Sequence, residues 1–179
     1  MEYWRYEMLK GWLDKIDEAR TLIAKYETRD PALHKVCKPV ENFDEKLHKL
    51  LDDMRETLID SDGVGLAAPQ VGILRRVVLV DTGEEILELI NPELIETDGE
   101  QVGAEGCLSV PGKYGLVKRP YWAKVRAQDR DGDWFEAEAE ELIARCFCHE
   151  LDHLDGIVYT QVMDRFLTDE ELDEMYSEE

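Results

Sequence analysis

The sequence predicts an α+β fold in which mixed β-sheets pack around a central helix that carries the segment His-Glu-Leu-Asp-His. Two observations lead to this fold class. Short runs of alternating or β-branched residues follow one another between residues 77 and 139, and long helical patterns flank them at 42–62 and 140–154. Because the strand patterns are not separated by helices, their order differs from the alternation that builds a parallel β-α-β sheet.

Composition limits the size of the fold and its classes of partner. With 179 residues, 44% of them hydrophobic, the chain suffices for one core but not for two ordinary domains. The net charge of −21 offers no basic surface, so no directly bound nucleic acid is expected. The chain has no apolar run of about 18 residues, so no membrane partner is expected. Its four cysteines occur without an export signal, which favours reduced thiols and a cytoplasmic location.

The start of the chain predicts a short amphipathic helix. Apolar side chains recur at helical spacing between residues 4 and 16. They are Trp4, Met8, Trp12, Leu13 and Ile16. Asp30-Pro31 and Lys38-Pro39 then interrupt the chain ahead of the next helical pattern.

The next element is an amphipathic helix that begins at Asn42, with Asn42 or Asp44 as its cap. One apolar stripe defines its buried face. The stripe consists of Phe43, Leu47, Leu50, Leu51, Met54 and Leu58. The helix is expected to end near Asp62-Gly63, because glycine suits the position that follows a helix.

The middle of the chain predicts strands. Residues 77–80 form a β-branched run, and residues 87–90 form a second run that ends before an Asn91-Pro92 turn. Residues 123–127 and 134–139 alternate in polarity, and Asp131-Gly132 between them predicts a hairpin turn.

Two helices are predicted to complete the chain. A long one spans residues 140–154, and a short acidic one lies within residues 168–179.

The long helix carries the motif that points to chemistry, His149-Glu150-Leu151-Asp152-His153. At about 100° per residue, His153 lies about 40° from His149 around the helix, and Glu150 lies about 100° away. Two imidazoles can therefore bind one ion, while Glu150 flanks the ion and can hold a water. This arrangement is typical of metal-assisted hydrolysis, with Glu150 as the base.

Residue patterns alone leave the third ligand open. Cys107, in Glu105-Gly106-Cys107-Leu108-Ser109, offers a thiolate from upstream. A zinc endopeptidase of the thermolysin type would instead use a downstream glutamate. The available glutamates are Glu170, Glu171 and Glu174. HExxH also occurs by chance on helix surfaces, which leaves a site without metal as a further alternative.

The angle of each residue around the same helix predicts which side of it the residue occupies. Leu142 and Cys146 fall at about 20° and 60°, on the metal side. We interpret them as walls of an apolar pocket, although Cys146 is also a competing ligand on geometry. Cys148 falls at about 260°, which predicts a position in the core on the opposite side.

A glycine-rich segment at residues 63–72 predicts close approach of the backbone to a ligand. It contains GxGxxA, but the dinucleotide-binding interpretation is disfavoured because a helix precedes it and strand-like residues follow. Its small residues would clear space for the ligand, and Gln70 would supply an N–H donor.

These three segments, in this order, resemble the motifs of the peptide deformylase family, GxGxAAxQ, EGCxS and HExDH. The resemblance extends from about Arg20 to Tyr159. It implies three parts of the chain: an extension at 1–19, a deformylase-like catalytic domain at 20–167 and a short acidic tail at 168–179.

The resemblance implies hydrolysis of the N-formyl group from the N-formylmethionine of newly synthesised polypeptides at the ribosome, releasing formate. Cys107, His149 and His153 would bind one Fe²⁺ per chain, with Zn²⁺, Ni²⁺ or Co²⁺ as substitutes. Glu150 would be the general acid and base. The Gln70 side chain and the Leu108 backbone N–H would stabilise the oxyanion.

The resemblance also implies how the substrate binds. Backbone groups of Val64, Gly65 and Gly106 would hold the peptide as an added strand. The methionine side chain would enter a pocket near Val64, Leu142, Cys146 and His149.

An ion pair between Glu105 and Arg119 is implied beside this site. It would either orient a metal ligand or serve only the fold.

Three features depart from the family pattern. Residues 1–19 precede its usual start, as an extra helix packed on the domain or as a start-site artefact. The tail is acidic where some members have a basic helix that docks on the ribosome. Arg145 stands where an aliphatic residue also occurs, and its side chain would either cover the pocket rim or reach an acidic surface residue. A catalytically dead, metal-binding relative is the remaining alternative.

Overall fold

The computed structural model describes residues 30–177, so the predicted N-terminal extension and its helix lie outside the described residues. The helices are α1 (Glu45–Ser61), α2 (Glu141–Leu154) and α3 (Asp169–Ser177). The strands are β1 (Gly65–Ala67), β2 (Val77–Asp81), β3 (Ile86–Asp98), β4 (Gln101–Cys107), β5 (Val110–Arg119), β6 (Trp122–Gln128), β7 (Trp134–Glu140) and β8 (Arg165–Phe166). Short 3-10 turns occupy Pro31–His34, Ala68–Val71 and Tyr159–Gln161.

The strands form two sheets, which confirms the predicted α+β class. The larger sheet has the order β1-β2-β3-β6-β7, and the smaller one has the order β4-β5-β8. All pairings between these strands are antiparallel, and a parallel bridge joins Lys38 to Arg75. The helix α2 packs against strands of the larger sheet and also contacts β5 of the smaller one.

Helices cover both faces of the larger sheet at β2. Val78 and Val80 belong to the core on the α2 side, whereas Val77 and Leu79 belong to the core on the α1 side. Successive side chains of a strand point to opposite faces, so a run of four apolar residues is buried on both. This two-sided burial explains why residues 77–80 have no polar alternation.

The boundaries of α1 follow from its capping residues. The Asp44 carboxylate accepts hydrogen bonds from the backbone N–H groups of Lys46 and Leu47, which makes Asp44 the N-cap rather than Asn42. The helix ends at Ser61, and its C-cap Asp62 adopts the left-handed conformation with φ of 54°. Asp62 therefore takes the conformation that we expected of a glycine.

The turn predicted at Asn91-Pro92 is wrong, because β3 continues through these residues to Asp98. A register shift between Ile90 and Glu93 forms a bulge that accommodates Pro92, which has no N–H to donate. Asn91 adopts φ of 51°, and its side chain bonds to the backbone N–H and C=O of Val40. These contacts stabilise a bulge at the position where the sequence predicted the end of a strand.

The sequence did not predict the β4–β5 hairpin, whose glycines interrupt the alternation of polarity. Gly106 pairs with Tyr114, but the next pair joins Cys107 to Val110, so the register shifts at the end of β4. This shift turns the chain sharply at Cys107. The thiol is thereby presented at the rim of the smaller sheet, facing α2.

The remaining predictions agree with the structure. The hairpin at Asp131-Gly132 joins β6 and β7, and α2 begins one residue later than predicted. The acidic helix α3 forms as predicted and buries none of its residues. No helix within residues 30–177 is long and apolar enough to cross a membrane.

Candidate metal centre

Three side chains converge between the end of β4 and the middle of α2. The ligand atoms of Cys107, His149 and His153 lie within 4.8 Å of one another, the one such group in the described part of the chain. The Cys107 Sγ lies 3.3 Å from the His153 Nε2. The two histidines are one helical turn apart, so the 100° period of α2 places both rings beside the thiol.

This group fits a metal ion on two observations. First, the buried Glu150 Oε2 beside it has no hydrogen-bond partner among the described residues, although buried polar atoms are normally satisfied. Second, both histidines turn a ring nitrogen toward the thiol, and for His153 this is the Nε2. The Nδ1 of His149 is bonded to Glu105, which leaves its Nε2 to face Cys107. Two imidazole nitrogens and one thiolate make a donor set that suits zinc or iron.

A buried carboxylate orients the first histidine. The Glu105 side chain is 4% exposed, and its Oε1 lies 2.8 Å from the His149 Nδ1. Arg119 donates to both oxygens of Glu105, at 3.2 and 3.3 Å, and to Asp152 at 2.7 Å. Burial raises the pKa of Glu105, but His149 and Arg119 outweigh it, and the net pKa is lowered. The Glu105–Arg119 pair was expected either to orient a metal ligand or to serve only the fold. The contact between Glu105 and His149 favours the first role.

Glu150 lies next to the candidate ligands and is almost fully buried. Its side chain is buried, and burial raises its pKa to about 7, with His149 acting in the opposite direction. The strand β1 passes directly over it at Gly65. A Cβ at position 65 would overlap the Glu150 carboxylate and lie 2.6 Å from the Cys146 Sγ. Only glycine therefore allows β1 to approach the site this closely.

Gln70 presents its amide N–H groups toward the thiol. Its Oε1 accepts a hydrogen bond from the Ala67 backbone at 2.8 Å, which fixes the orientation of the amide. Its Nε2 lies 3.3 Å from the Ser109 Oγ and 3.5 Å from the Cys107 Sγ. Leu108 follows the thiol directly, and the Ser109 N–H donates to the Cys107 Sγ at 3.4 Å. Donors from two segments thus surround one side of the candidate ion.

A cavity of about 640 Å³ opens beside these residues. It is lined by all five residues predicted to bind substrate, Val64, Gly65, Gly106, Leu142 and Cys146. Cys146 is buried, whereas the Leu142 side chain is 58% exposed and lies at the rim. The pocket is therefore continuous from solvent to Glu150 and His149, which also line it.

Comparison with known proteins identifies the family. The sequence model of the polypeptide deformylase family matches residues 22–168. The chain belongs to this family. The peptide deformylase of Agathobacter rectalis is 56% identical over 140 residues, which cover 78% of this chain and 89% of that protein. The peptide deformylase of Caldanaerobacter subterraneus is 54% identical over 144 residues, covering 80% and 91%.

Solved deformylase structures share the fold. The crystal structure of the peptide deformylase from Thermotoga maritima has a TM-score of 0.75 and 43% identity, covering 77% of this chain and 95% of that one. The structure of a peptide deformylase from Legionella pneumophila has a TM-score of 0.74 and 39% identity, covering 84% and 93%. The members of the family are metal-dependent hydrolases, in agreement with the convergence of Cys107, His149 and His153.

The described part of this deformylase does not support a downstream glutamate as the third ligand. Glu170, Glu171 and Glu174 all lie on α3, and none belongs to the ligand group. Glu171 instead accepts hydrogen bonds from both terminal nitrogens of Arg165, at 2.7 and 2.8 Å.

One prediction about an α2 side chain is wrong, and it concerns Arg145. Arg145 neither covers the rim nor reaches a surface acid. It is buried and donates to the Val117 carbonyl. Cys148 is buried away from the substrate pocket, as its helical angle predicted. It lines a second cavity of about 400 Å³ together with Arg119 and Asp152. Helical angle alone could not predict these charged neighbours, because Arg119 comes from β5.

The sequence also left three contributors without a role. Asp152 belongs to the motif, and its ion pair with Arg119 explains why a carboxylate is suited to that position. Ser109 is fully buried beside Gln70. Tyr159 stacks on the His149 ring at 6.1 Å between centroids, and its hydroxyl donates to the Lys113 carbonyl. Tyr159 comes from a segment after α2, so local pattern could not associate it with the site.

Proposed function

We propose that this chain hydrolyses the N-terminal formamide of N-formylmethionyl polypeptides and releases formate. One observation carries the proposal: in a deformylase-family chain, Cys107, His149 and His153 converge beside the buried Glu150 carboxylate at the inner end of an open pocket. Hydrolysis of an amide requires an activated water, a proton carrier and donors for the oxyanion. Each has a candidate at this site.

The ligands that we propose for one Fe²⁺ per chain are Cys107, His149 and His153, with Zn²⁺, Ni²⁺ or Co²⁺ as substitutes. When bound, the ion supplies Lewis-acid polarisation and lowers the pKa of a coordinated water. Glu105 holds the His149 ring through its Nδ1, and this keeps the Nε2 free to coordinate.

Glu150 is the proposed proton carrier. Its carboxylate accepts a proton from water as the water oxygen attacks the formyl carbon. It then delivers that proton to the amine nitrogen as the C–N bond breaks, so that formate and a free amino terminus are released. Burial supports this role, because it raises the pKa of Glu150 to about 7 and so makes proton release and uptake comparably easy.

Gln70 and Leu108 are the proposed oxyanion donors. The negative charge that develops on the formyl oxygen would accept hydrogen bonds from the Gln70 Nε2 and the Leu108 backbone N–H. Support comes from the bond between the Gln70 Oε1 and the Ala67 N–H, which holds the amide in one orientation before substrate binds. Loss of one such donor typically raises the barrier by about 3 kcal/mol.

Backbone groups of Val64, Gly65 and Gly106 are proposed to bind the substrate main chain. They lie on β1, on β4 or directly beside them, so an extended peptide could add as a strand between these elements. The methionine side chain would then enter the cavity between Leu142 and Cys146, which line it.

The nascent chain at the ribosome is the proposed substrate, and the cytoplasm is the proposed location. The first turn of α3 contains three acids, and no basic residue lies in its last turn. Electrostatic repulsion from RNA phosphates would oppose docking of this helix on the ribosome. We therefore propose that substrate reaches the pocket without contacts between α3 and RNA.

Formate release from a formyl-Met-Ala-Ser peptide tests the function. Protein purified without oxygen and loaded with Fe²⁺ is expected to release formate at a rate proportional to its iron content. Metal-free protein is the control. A rate for the loaded protein no higher than that of the control would contradict the proposal.

A further inference from the structure

Arg145 places a positive charge in the wall of the substrate pocket. It lies on α2 directly before Cys146 and is one of the residues that line the cavity of about 640 Å³. Its side chain is only 7% exposed. Charged side chains are rarely buried to this extent unless they are paired.

The described residues satisfy only part of this guanidinium. Its Nη1 donates to the Val117 carbonyl at 3.0 Å and lies 3.8 Å from the Glu105 Oε2. No other described group accepts a hydrogen bond from Arg145. Glu105 already binds His149 and Arg119, which leaves it a weak partner for a third cation. Of the five N–H donors in a guanidinium, most therefore remain available to a ligand in the pocket that Arg145 lines.

The smaller sheet leaves space for the guanidinium. A Cβ at Gly103, on β4, would lie 3.2 Å from the Arg145 Nη2, closer than most such contacts in proteins. Glycine at this position thus accommodates the charged group next to the smaller sheet. The pocket lining thus includes apolar residues, such as Leu142 and Cys146, together with the charged Arg145.

We propose that Arg145 is a specificity-determining residue that donates hydrogen bonds to an acceptor atom in the first side chain of the substrate. The proposal deepens the proposed function and rests on it. A thioether sulfur is a weak acceptor, a sulfoxide oxygen is a strong one, and the all-carbon norleucine side chain has none. This pocket therefore selects methionine over norleucine and also accepts formyl-methionine sulfoxide.

Substrate competition on the metal-loaded enzyme tests this. The values of kcat/KM are measured for formyl-X-Ala-Ser, where X is methionine, norleucine or methionine sulfoxide. The sulfoxide is expected within about tenfold of methionine, because a hydrogen bond from a charged donor offsets its desolvation. In Arg145→Leu, the ratio of sulfoxide to methionine is expected to fall by at least about tenfold.

Arg126→Leu is the matched control. The Arg126 guanidinium stacks on the Trp134 ring at 4.4 Å, on an exposed part of β6, and does not line the pocket. Its removal deletes the same groups and is expected to leave all three substrate ratios unchanged. Equal ratios in wild type and Arg145→Leu would overturn the proposal.

A binding measurement keeps the proposal testable if Arg145→Leu does not fold. The unformylated peptides X-Ala-Ser are compared as competitive inhibitors of wild type, which involves no chemical step on them. The sulfoxide peptide is expected to inhibit at least as strongly as the norleucine peptide. Inhibition about tenfold weaker than that by the norleucine peptide would overturn the proposal. Failure of the proposed function is distinguishable, because it would abolish hydrolysis of the formyl-methionine peptide itself.

Discussion

At Gly65, the backbone of β1 packs directly against the Glu150 carboxylate that is the proposed proton carrier. We predict that Gly65→Ala lowers kcat/KM for a formyl-methionine peptide by at least about a hundredfold, because the added methyl group must displace the Glu150 carboxylate or the Cys146 thiol. Gly83→Ala is the control. Gly83 has φ of 86° but no atom within 4 Å of an added Cβ, so strain of about 1 kcal/mol is expected without a change in turnover. Turnover near that of wild type in Gly65→Ala would contradict the account.

At this scale, the candidate ligands could be predicted and their surroundings could not. His149 and His153 are linked by the helical period, which is local, and Cys107 lies within a short motif. The position of Arg145 depends instead on Val117 and Gly103, which are distant in sequence and meet it only after the sheets have formed. Cys148 is buried as predicted, but its charged neighbour Arg119 from β5 is distant in sequence and could not be predicted either.

Among elements, the connection between β5 and α2 holds the site together. Arg119 on β5 is 9% exposed and joins Glu105 of β4 to Asp152 of α2. We predict that Arg119→Leu lowers the free energy of unfolding by about 3 kcal/mol, because two carboxylates lose their cation in a poorly solvated region. Metal affinity should fall by about tenfold or more, since Glu105 no longer holds the His149 ring as firmly.

Urea unfolding and metal titration measure these two effects separately. Lys118→Leu is the control, because the Lys118 side chain on the same strand is 66% exposed and its removal should change stability by less than about 0.5 kcal/mol. Unchanged metal affinity in Arg119→Leu would show that the network serves the fold alone.

A second connection predicts how stability depends on pH. The Glu88 side chain of β3 is 10% exposed and accepts hydrogen bonds from Arg130, in the β6–β7 turn, and from Arg55 of α1. Burial raises the pKa of Glu88, but the hydrogen bonds from Arg130 and Arg55 outweigh it and the pKa is lowered. Such a group stabilises the fold above its unfolded pKa, near about 4.3, and this stabilisation is lost as pH falls through the folded pKa.

We therefore predict that Glu88→Gln is less stable than wild type by about 1–2 kcal/mol at pH 7 and that the difference shrinks below about pH 4. Urea unfolding of both proteins between pH 7 and pH 3 measures it. Glu84→Gln, in the exposed turn before β3, is the control and should stay within about 0.5 kcal/mol of wild type. A difference that does not vary with pH would contradict the assignment.

The elements differ in how far the sequence could predict them. The helices α1 and α2 have strong periodicity, and their predicted spans agree with the structure to within a few residues. The end of β3 was misplaced because Asn91-Pro92 is a common turn signal, whereas here a bulge and the contacts of Asn91 with Val40 keep the strand intact. The β4–β5 hairpin was missed because its glycines, needed for close packing at Gly106 and Gly115, conceal the strand pattern.

For the molecule as a whole, the charge of the surface differs from the charges found at the buried site. The net charge of −21 sets the interactions of the outside with solvent and with other macromolecules. At the candidate metal centre, by contrast, the buried Arg119 and Arg145 lie close to Glu105. Dissolved salt screens such buried charges much less than it screens the exposed acidic surface.

The most direct test of the account measures formate release and iron content together in Glu150→Gln. The substitution removes the proposed proton carrier but none of the ligands. We expect the variant to bind as much iron as wild type, while formate release from a formyl-methionine peptide falls by at least about a thousandfold. Glu140→Gln, at the exposed start of α2 with no side-chain capping bond, should retain both. Turnover within about tenfold of wild type in iron-loaded Glu150→Gln would contradict the central claim.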